Sequence, residues 1–365
     1  MSKTILFQLN HPAHYHLFKN TIRILRSKGH CIYISIKNKD ILKDLLACED
    51  YYVISETYRK KNLYSIIKGL FKRDYLFFKL VKKLKPDLMI GTSPEIGHIR
   101  KFCKTPAIFF GEDDVTISKA MYIGALSCYP FFDSILSPVG CNNSIWNNKT
   151  TFYEGFQKLA YLHPNQFIPD RSKVEIPDSE PFFLLRFVKL AAYHDLNANG
   201  IDDVMAELLI KKLELFGKVI ISSERELPNR FEKYQFKGEL KDIHHYLFYA
   251  DLYIGDSQSM AVEAAMLGTP SIRFNNFTGK ISVLEELENR YGLIYSIKAS
   301  DHERLLNKVD ELLSKKSLRN EFEIRRQKML LEKIDVTAFF VWFIENYPQS
   351  VKIMKENPDY QYNFR

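Results

Sequence analysis

The chain is 365 residues long, with 46 % hydrophobic and 26 % charged residues. That composition suits about two folded domains of ~150 residues each and excludes a disordered, collagenous or disulfide-scaffolded chain. The formal net charge of +8 raises nucleic acid, an anionic membrane and anionic small molecules as classes of partner.

The opening MSKTILFQLN is too short in apolar residues for a secretory signal, and no later run approaches the ~20 that span a bilayer. Cys31, Cys48, Cys103, Cys128 and Cys141 form no C-x-x-C pair and have no histidine at metal-ligand spacing. They read as incidental thiols of a cytoplasmic protein, and no metal site is expected. Strand-like runs at 4–9, 31–36, 51–54, 87–91, 107–110 and 134–136 alternate with helical patterns at 14–28, 40–47, 63–84, 95–102 and 115–128. Such alternation predicts parallel sheet with crossover helices. The periodicity breaks over 142–181, where Pro164, Pro169, Pro177 and Pro181 suggest an interdomain connection. A second series follows, with strands at 182–186, 218–222, 252–255, 271–274 and 293–295. Its helices lie near 202–216, 243–249, 259–267 and 281–289, with three more between 301 and 346. The expected fold is α/β, two Rossmann-like doubly wound domains facing a cleft, over 1–160 and 161–335. Residues 336–365 supply a final helix and tail that pack back toward the first domain or form a dimer face.

Open parallel sheets bind ligands beyond the carboxyl ends of their strands, so the residues that follow each strand carry the functional signal. In 251–274, DLYIGDSQSMAVEAAMLGTPSIRF, a buried strand meets the polar turn Asp256-Ser257-Gln258-Ser259 and a helix begins at once. Free N–H groups, hydroxyls and the positive end of the helix dipole make an anion site there. Glu263, further into the helix, can accept two ribose hydroxyls. The competing reading is that Asp256 and Ser257 only cap the helix.

After the first strand stand His11, His14 and His16, for which proton transfer or sugar contact, structural capping and a metal site are the three readings. After the fifth come Glu112, Asp113 and Asp114. Asp114 is explained as the N-cap of a helix from 115, which leaves Glu112 and Asp113 to orient a histidine or bind sugar hydroxyls. At the start of the second half, Arg186 emerges from a buried strand with Lys189 and then Tyr193-His194-Asp195. Its charge needs a partner, either a diphosphate or Asp195 or Asp203. Ser222, Ser223 and Glu224 end the next strand, and Arg273 either contacts ligand or pairs with Glu263. P-loop, G-x-G-x-x-G, G-x-S-x-G and H-E-x-x-H motifs are absent, so kinase, dehydrogenase and hydrolase readings have no support.

The 251–274 segment, preceded by GELKDIHHYLFYAD, resembles the nucleotide-sugar site of GT-B-fold glycosyltransferases and of non-hydrolysing UDP-N-acetylglucosamine 2-epimerases. NHPAHYHLFKNTIRILRSKGH, the EDD after the fifth strand and LLRFVKLAAYHD resemble the DUF354 family of GT-B-like proteins. The resemblance implies a metal-independent, inverting glycosyltransferase of surface-polysaccharide or glycan biosynthesis. It would use a nucleotide-diphosphate sugar, UDP-linked by default, and no cofactor. Ser257, Gln258, Ser259, Arg186 and Lys189 then serve the diphosphate and Glu263 the ribose, with 238–242 bordering the base. His11, Ser222 and Arg273 complete the donor contacts. His14 matches the position of a catalytic histidine, although Ala13 replaces the usual glycine, and Glu112 or Asp113 orients it. The first domain takes a glycan or lipid-linked acceptor.

Two alternatives stay open. In an epimerase, Glu112 falls where that family carries an essential glutamate, but the family's Gly-His-Arg-Arg-Glu motif is replaced here by Leu-Arg-Phe-Val-Lys. In a non-catalytic nucleotide-sugar-binding protein the fold persists without turnover.

The net charge is local. Between Arg59 and Lys85 ten basic residues stand against Asp74 alone. A solvated helix with its aromatics in the core and a peripheral membrane-docking face are the two readings of 59–85. No nucleic-acid motif accompanies it, so nucleic acid is not an expected partner.

Overall fold

Strand segments such as LMIG and AIFF are apolar on both faces, which suits a parallel sheet covered by helices on each side. In a computed structural model, which describes residues 2–38, 40–46, 49–56, 63–188, 200–276 and 278–365, they form two such sheets. Strands β1 (Thr4–Leu9), β2 (Cys31–Asn38), β3 (Tyr51–Glu56), β4 (Leu88–Gly91), β5 (Ala107–Phe110), β6 (Ser134–Pro138) and β7 (Thr150–Tyr153) pair in parallel in the order β3-β2-β1-β4-β5-β6-β7. Strands β8 (Phe182–Phe187), β9 (Lys218–Ser223), β10 (Leu252–Gly255), β11 (Ser271–Phe274) and β12 (Ile294–Ile297) pair in parallel in the order β12-β11-β10-β8-β9. Strand order reverses between β1 and β4 in the first sheet and between β8 and β10 in the second. The fold is therefore α/β with two Rossmann-like halves.

The chain divides into two compact units, one of Met1–Tyr161 with Lys333–Arg365 and one of Leu162–Glu332. In the first, helix Pro12–Ser27 has Pro12 in its first turn and is followed by Gly29 at φ +85°, a left-handed position that favours glycine. Its Phe18 packs on Phe7 and Phe110. Helix Val336–Glu345 adds to this core through Phe340, whose ring centroid lies 4.8 Å from that of Phe110 and 5.3 Å from that of Tyr153. Trp342 stacks on Tyr360, and the buried Lys333 pairs with Glu154 at 2.8 Å. In the second unit Leu185, Ile254 and Ile272 turn one sheet face toward the core that includes Leu209 and Val309. Helix Gln258–Leu267 covers the other face, where Ser271 Oγ donates to Ala261 O.

Three local expectations change. The stretch 142–181, where the chain passes from the first unit to the second between Tyr161 and Leu162, also holds β7 and the helical turn Leu159–Leu162. The helix expected from 115 begins at Lys119 under a Ser118 cap, and Asp114 instead accepts the Asn142 N–H at 2.6 Å. A further helix, Gln349–Glu356, follows those expected up to 346. Cys31, Cys103 and Cys128 are free thiols, buried Cys141 donates through Sγ to Glu112 O at 3.0 Å, burial pushes Cys128 up to about 12, and Cys48 lies outside the described residues. Among the described residues no helix is long and apolar enough to cross a membrane.

Phe340→Ala should open a cavity against Phe110 and Tyr153. The expected cost is about 3–5 kcal/mol in denaturant unfolding of the full chain, read in the transition of the first unit.

Candidate functional site

The polar residues of the second unit are organised by register. Ser296, Arg273, Gly255, Arg186 and Ser222 pair successively across β12, β11, β10, β8 and β9. Paired residues project to one face of a sheet, here the face under helix Gln258–Leu267. Gly255, at the centre, has no room for a side chain. A Cβ there would lie 2.4 Å from the Tyr253 hydroxyl and 2.9 Å from Arg186 Cβ.

Two guanidinium groups thus flank a glycine near the start of a helix. Arg273 is 0 % exposed; its Nη2 donates to Ser296 Oγ at 3.0 Å, while Nε and Nη1 find no partner among the described residues. Burial pushes its pKa down, opposed by Glu288 and Glu285. Arg186 donates through Nη1 to Ser222 Oγ at 2.7 Å and through Nη2 to Glu224, and its buried Nε has no partner among the described residues. Of the carboxylates weighed as alternatives to a ligand for Arg186, Asp203 pairs with Arg225 at 3.1 Å and Asp195 lies outside the described residues, while Arg186 itself pairs with Glu224. Lys189, Tyr193 and His194 also lie outside them.

Ser257 is the N-cap of helix Gln258–Leu267, its Oγ accepting the Met260 N–H at 3.3 Å. Gln258 and Ser259 form the first turn, the latter exposed. Glu263 Oε1 stands 3.5 Å from His244 Nε2, both side chains largely buried. Asp256 turns inward. Its carboxylate accepts the N–H groups of Val188 at 2.8 Å and Ile201 at 3.3 Å, and burial raises its pKa to about 6 against those hydrogen bonds.

In the first unit the reversal between β1 and β4 brings Asn10, His11 and His14 beside Thr92, Ser93 and Glu95. His11 is the N-cap of helix Pro12–Ser27, its Nδ1 accepting the Ala13 N–H at 3.2 Å. His14 Nδ1 accepts the Asn10 N–H at 3.1 Å, and Thr92 Oγ1 lies 2.9 Å from both ring nitrogens. Since Nδ1 accepts the Asn10 N–H, the proton of the neutral ring belongs on Nε2. Buried Glu95 receives the Arg73 Nε–H at 2.7 Å and Asn10 Nδ2–H at 3.5 Å. Glu112 is bound elsewhere, its Oε1 accepting the Gln157 N–H at 2.6 Å and its Oε2 pairing with Lys158 at 3.1 Å. Asp113 is exposed. Among the described residues no group of three or more His, Cys, Asp or Glu converges to hold a metal ion.

Thr92, Ser93 and Glu95 are absent from the sequence-based candidates. The available signal was positional, because GTSPE follows a predicted strand just as DSQS does. The two halves share this device. β4 ends in Gly91 and is followed by the Ser93 N-cap, while β10 ends in Gly255 and is followed by the Ser257 N-cap. A cavity of about 450 Å³ lined by Arg171, Phe182, Tyr249, Asp251 and Arg319 lies by the amino ends of β8 and β10, away from the carboxyl ends where such sheets bind ligands.

No family model matches the sequence, and no curated protein matches it, so the narrower DUF354 resemblance finds no counterpart. Solved structures match over nearly the full length. The S. aureus MnaA–UDP complex is 10 % identical at a TM-score of 0.69, with 95 % of this chain and 97 % of that one covered. Spinosyn rhamnosyltransferase SpnG complexed with thymidine diphosphate is 13 % identical at 0.63, covering 94 % and 100 %. The UDP-GlcNAc 2-epimerase from Methanocaldococcus jannaschii is 15 % identical at 0.60, covering 89 % and 99 %. These likenesses establish the fold, that of GT-B glycosyltransferases and UDP-GlcNAc 2-epimerases.

Asp256 generates a pH prediction. Its folded pKa lies above the ordinary 3.8, so the folded state holds the proton more tightly. The stability this contributes is full below the unfolded pKa and is lost as pH rises through about 6. Relative to Asp256→Asn, the native chain should lose roughly 2–3 kcal/mol between pH 4 and 7.5, measured as paired denaturant curves; a constant difference across that range would contradict the assignment.

Proposed function

We propose that the protein transfers a sugar from a nucleotide-diphosphate donor, UDP-linked by default, to a glycan or lipid-linked acceptor such as those of surface-polysaccharide assembly. The observation that carries this reading is the Arg186–Gly255–Arg273 row beside the start of helix Gln258–Leu267. A buried guanidinium with two N–H directions unmet among the described residues is costly, and a diphosphate would answer it. Gln258, Ser259 and the first-turn N–H groups add neutral donors, with Ser257 holding the turn in shape and Ser222 holding Arg186. Glu263 takes the ribose hydroxyls. His11 and Lys189 belong to the same reading as donor contacts.

In transfer, the acceptor oxygen bonds to the anomeric carbon with inversion while the bond from that carbon to the diphosphate oxygen breaks. The bonding pair leaves with the diphosphate, whose growing charge the two arginines meet without need of a metal. The acceptor proton passes to His14. Because the resting lone pair of His14 faces the Asn10 N–H, proton uptake requires that first turn to shift when substrate seats; such contacts often tighten only in the substrate complex. Glu112 or Asp113 supports the acceptor side. An epimerase reading draws on the neighbours that are epimerases. Incubation with UDP-sugars distinguishes the two, by UDP release in one case and epimer formation in the other.

Arg273→Met separates binding from stability. UDP affinity should fall about 10- to 100-fold, as expected for loss of a charge-assisted contact, while thermal stability without nucleotide holds or rises because an underpaired buried charge is gone. Calorimetric titration and melting curves check both. His14→Ala should abolish transfer and leave UDP affinity nearly unchanged; joint loss of both would refute the role given to His14.

A further inference from the structure

Helix Leu63–Leu84 carries most of the net charge, and the structure divides its faces. Over residues 68–84, Phe77, Leu80 and Val81 are buried in the core of the first unit. Arg73 and Asp74, on the flank, are bound to Glu95 and His98. The outward stripe is Lys68, Phe71, Lys72, Tyr75, Lys79, Lys82 and Lys83, all exposed and none acidic. Phe71 is 68 % exposed and Tyr75 56 % exposed. The Lys79 ammonium lies over the Tyr75 ring at 4.8 Å. Aromatics that the sequence allowed to be core thus fall into two sets, and this set faces outward among five lysines.

We infer that this face docks the protein on an anionic phospholipid surface, with the lysines on headgroup phosphates and the Phe71 and Tyr75 rings in the headgroup–acyl boundary. Charge complementarity supports this occupant. Five lysines on one stripe, with the helix's single carboxylate, Asp74, turned to His98, match a continuous sheet of negative charge. Two exposed rings at helical spacing match an interface with an apolar depth. Helix Lys119–Cys128, which shares the core of this helix layer, exposes Ile123 and Leu126 and has no acidic residue. A nucleic acid would use the lysines but offers no apolar layer for Phe71.

Flotation of the full chain with phosphatidylcholine vesicles, alone or mixed with phosphatidylglycerol, tests the assignment. Binding is expected only to the mixed vesicles and should weaken with salt. Replacing Lys79, Lys82 and Lys83 by Glu should lower partitioning on the order of a hundredfold or more. In a separate variant, Phe71→Trp, the indole introduced on this face should show blue-shifted emission on the mixed vesicles. All of these positions point outward, so unchanged circular dichroism and melting should accompany the loss. Equal binding to neutral vesicles, full binding by the triple Glu variant, or an indole emission that does not move in the Phe71→Trp variant would each overturn the proposal. A concentration-dependent dimer disrupted by the same substitutions, without vesicle binding, would reassign the face to a second copy of the chain.

Discussion

Reversal of strand order in an all-parallel sheet is the constraint on which the rest of this molecule depends. Where neighbouring strands send their crossovers to opposite faces, the following loops part and leave backbone N–H groups and helix starts open. This happens at β1/β4 and again at β8/β10. In both places the second strand closes on a glycine that cannot take a side chain without collision, Gly91 against Gln8 O at 2.7 Å and Gly255 against Tyr253 and Arg186. A serine N-cap follows two residues later. The backbone device is shared, and the chemistry differs through the residue paired with each glycine. Gln8 faces Gly91 with a neutral, fully buried amide, whereas Arg186 faces Gly255 with a cation.

Much of the architecture could be read from the chain because its strands are short apolar runs separated by amphipathic helices. β7 escaped that reading because only two of its four residues turn inward. Strand, turn and helix are contiguous around Ser257, so that site was visible locally. The Arg186–Arg273 row was not, because it exists only when β8 and β11 both lie beside β10, an adjacency that chain order does not display. For the same reason the sequence offers Arg273 either a ligand or Glu263, whereas register places it on Ser296 with Glu288 nearby. His14 was legible, but Thr92 became its partner only once β4 was known to pair with β1.

Charge tells a parallel story. A net value of +8 suggested a property of the whole surface, yet adjacent residues of one helix serve different ends. Arg73 is drawn inward to a buried carboxylate that also meets Asn10, while the lysines on the opposite stripe are left to solvent. Helix Leu63–Leu84 is therefore tied by its inner flank to Asn10, which leads into the helix that carries His14, and exposed by its outer one.

The first unit contains both early and late chain segments, and this bears on how it can be made. During synthesis β1 to β7 emerge first, yet Phe110 and Tyr153 lack the Phe340 ring, and Glu154 lacks Lys333, until the residues from 333 onward have been translated. All of the second unit leaves the ribosome in the interval. The later half can therefore complete its fold first, while the earlier half waits with apolar surface uncovered, a state in which nascent chains are prone to aggregate. A ribosome that stalls or terminates early within the last helices would release a chain whose damage lies at its beginning.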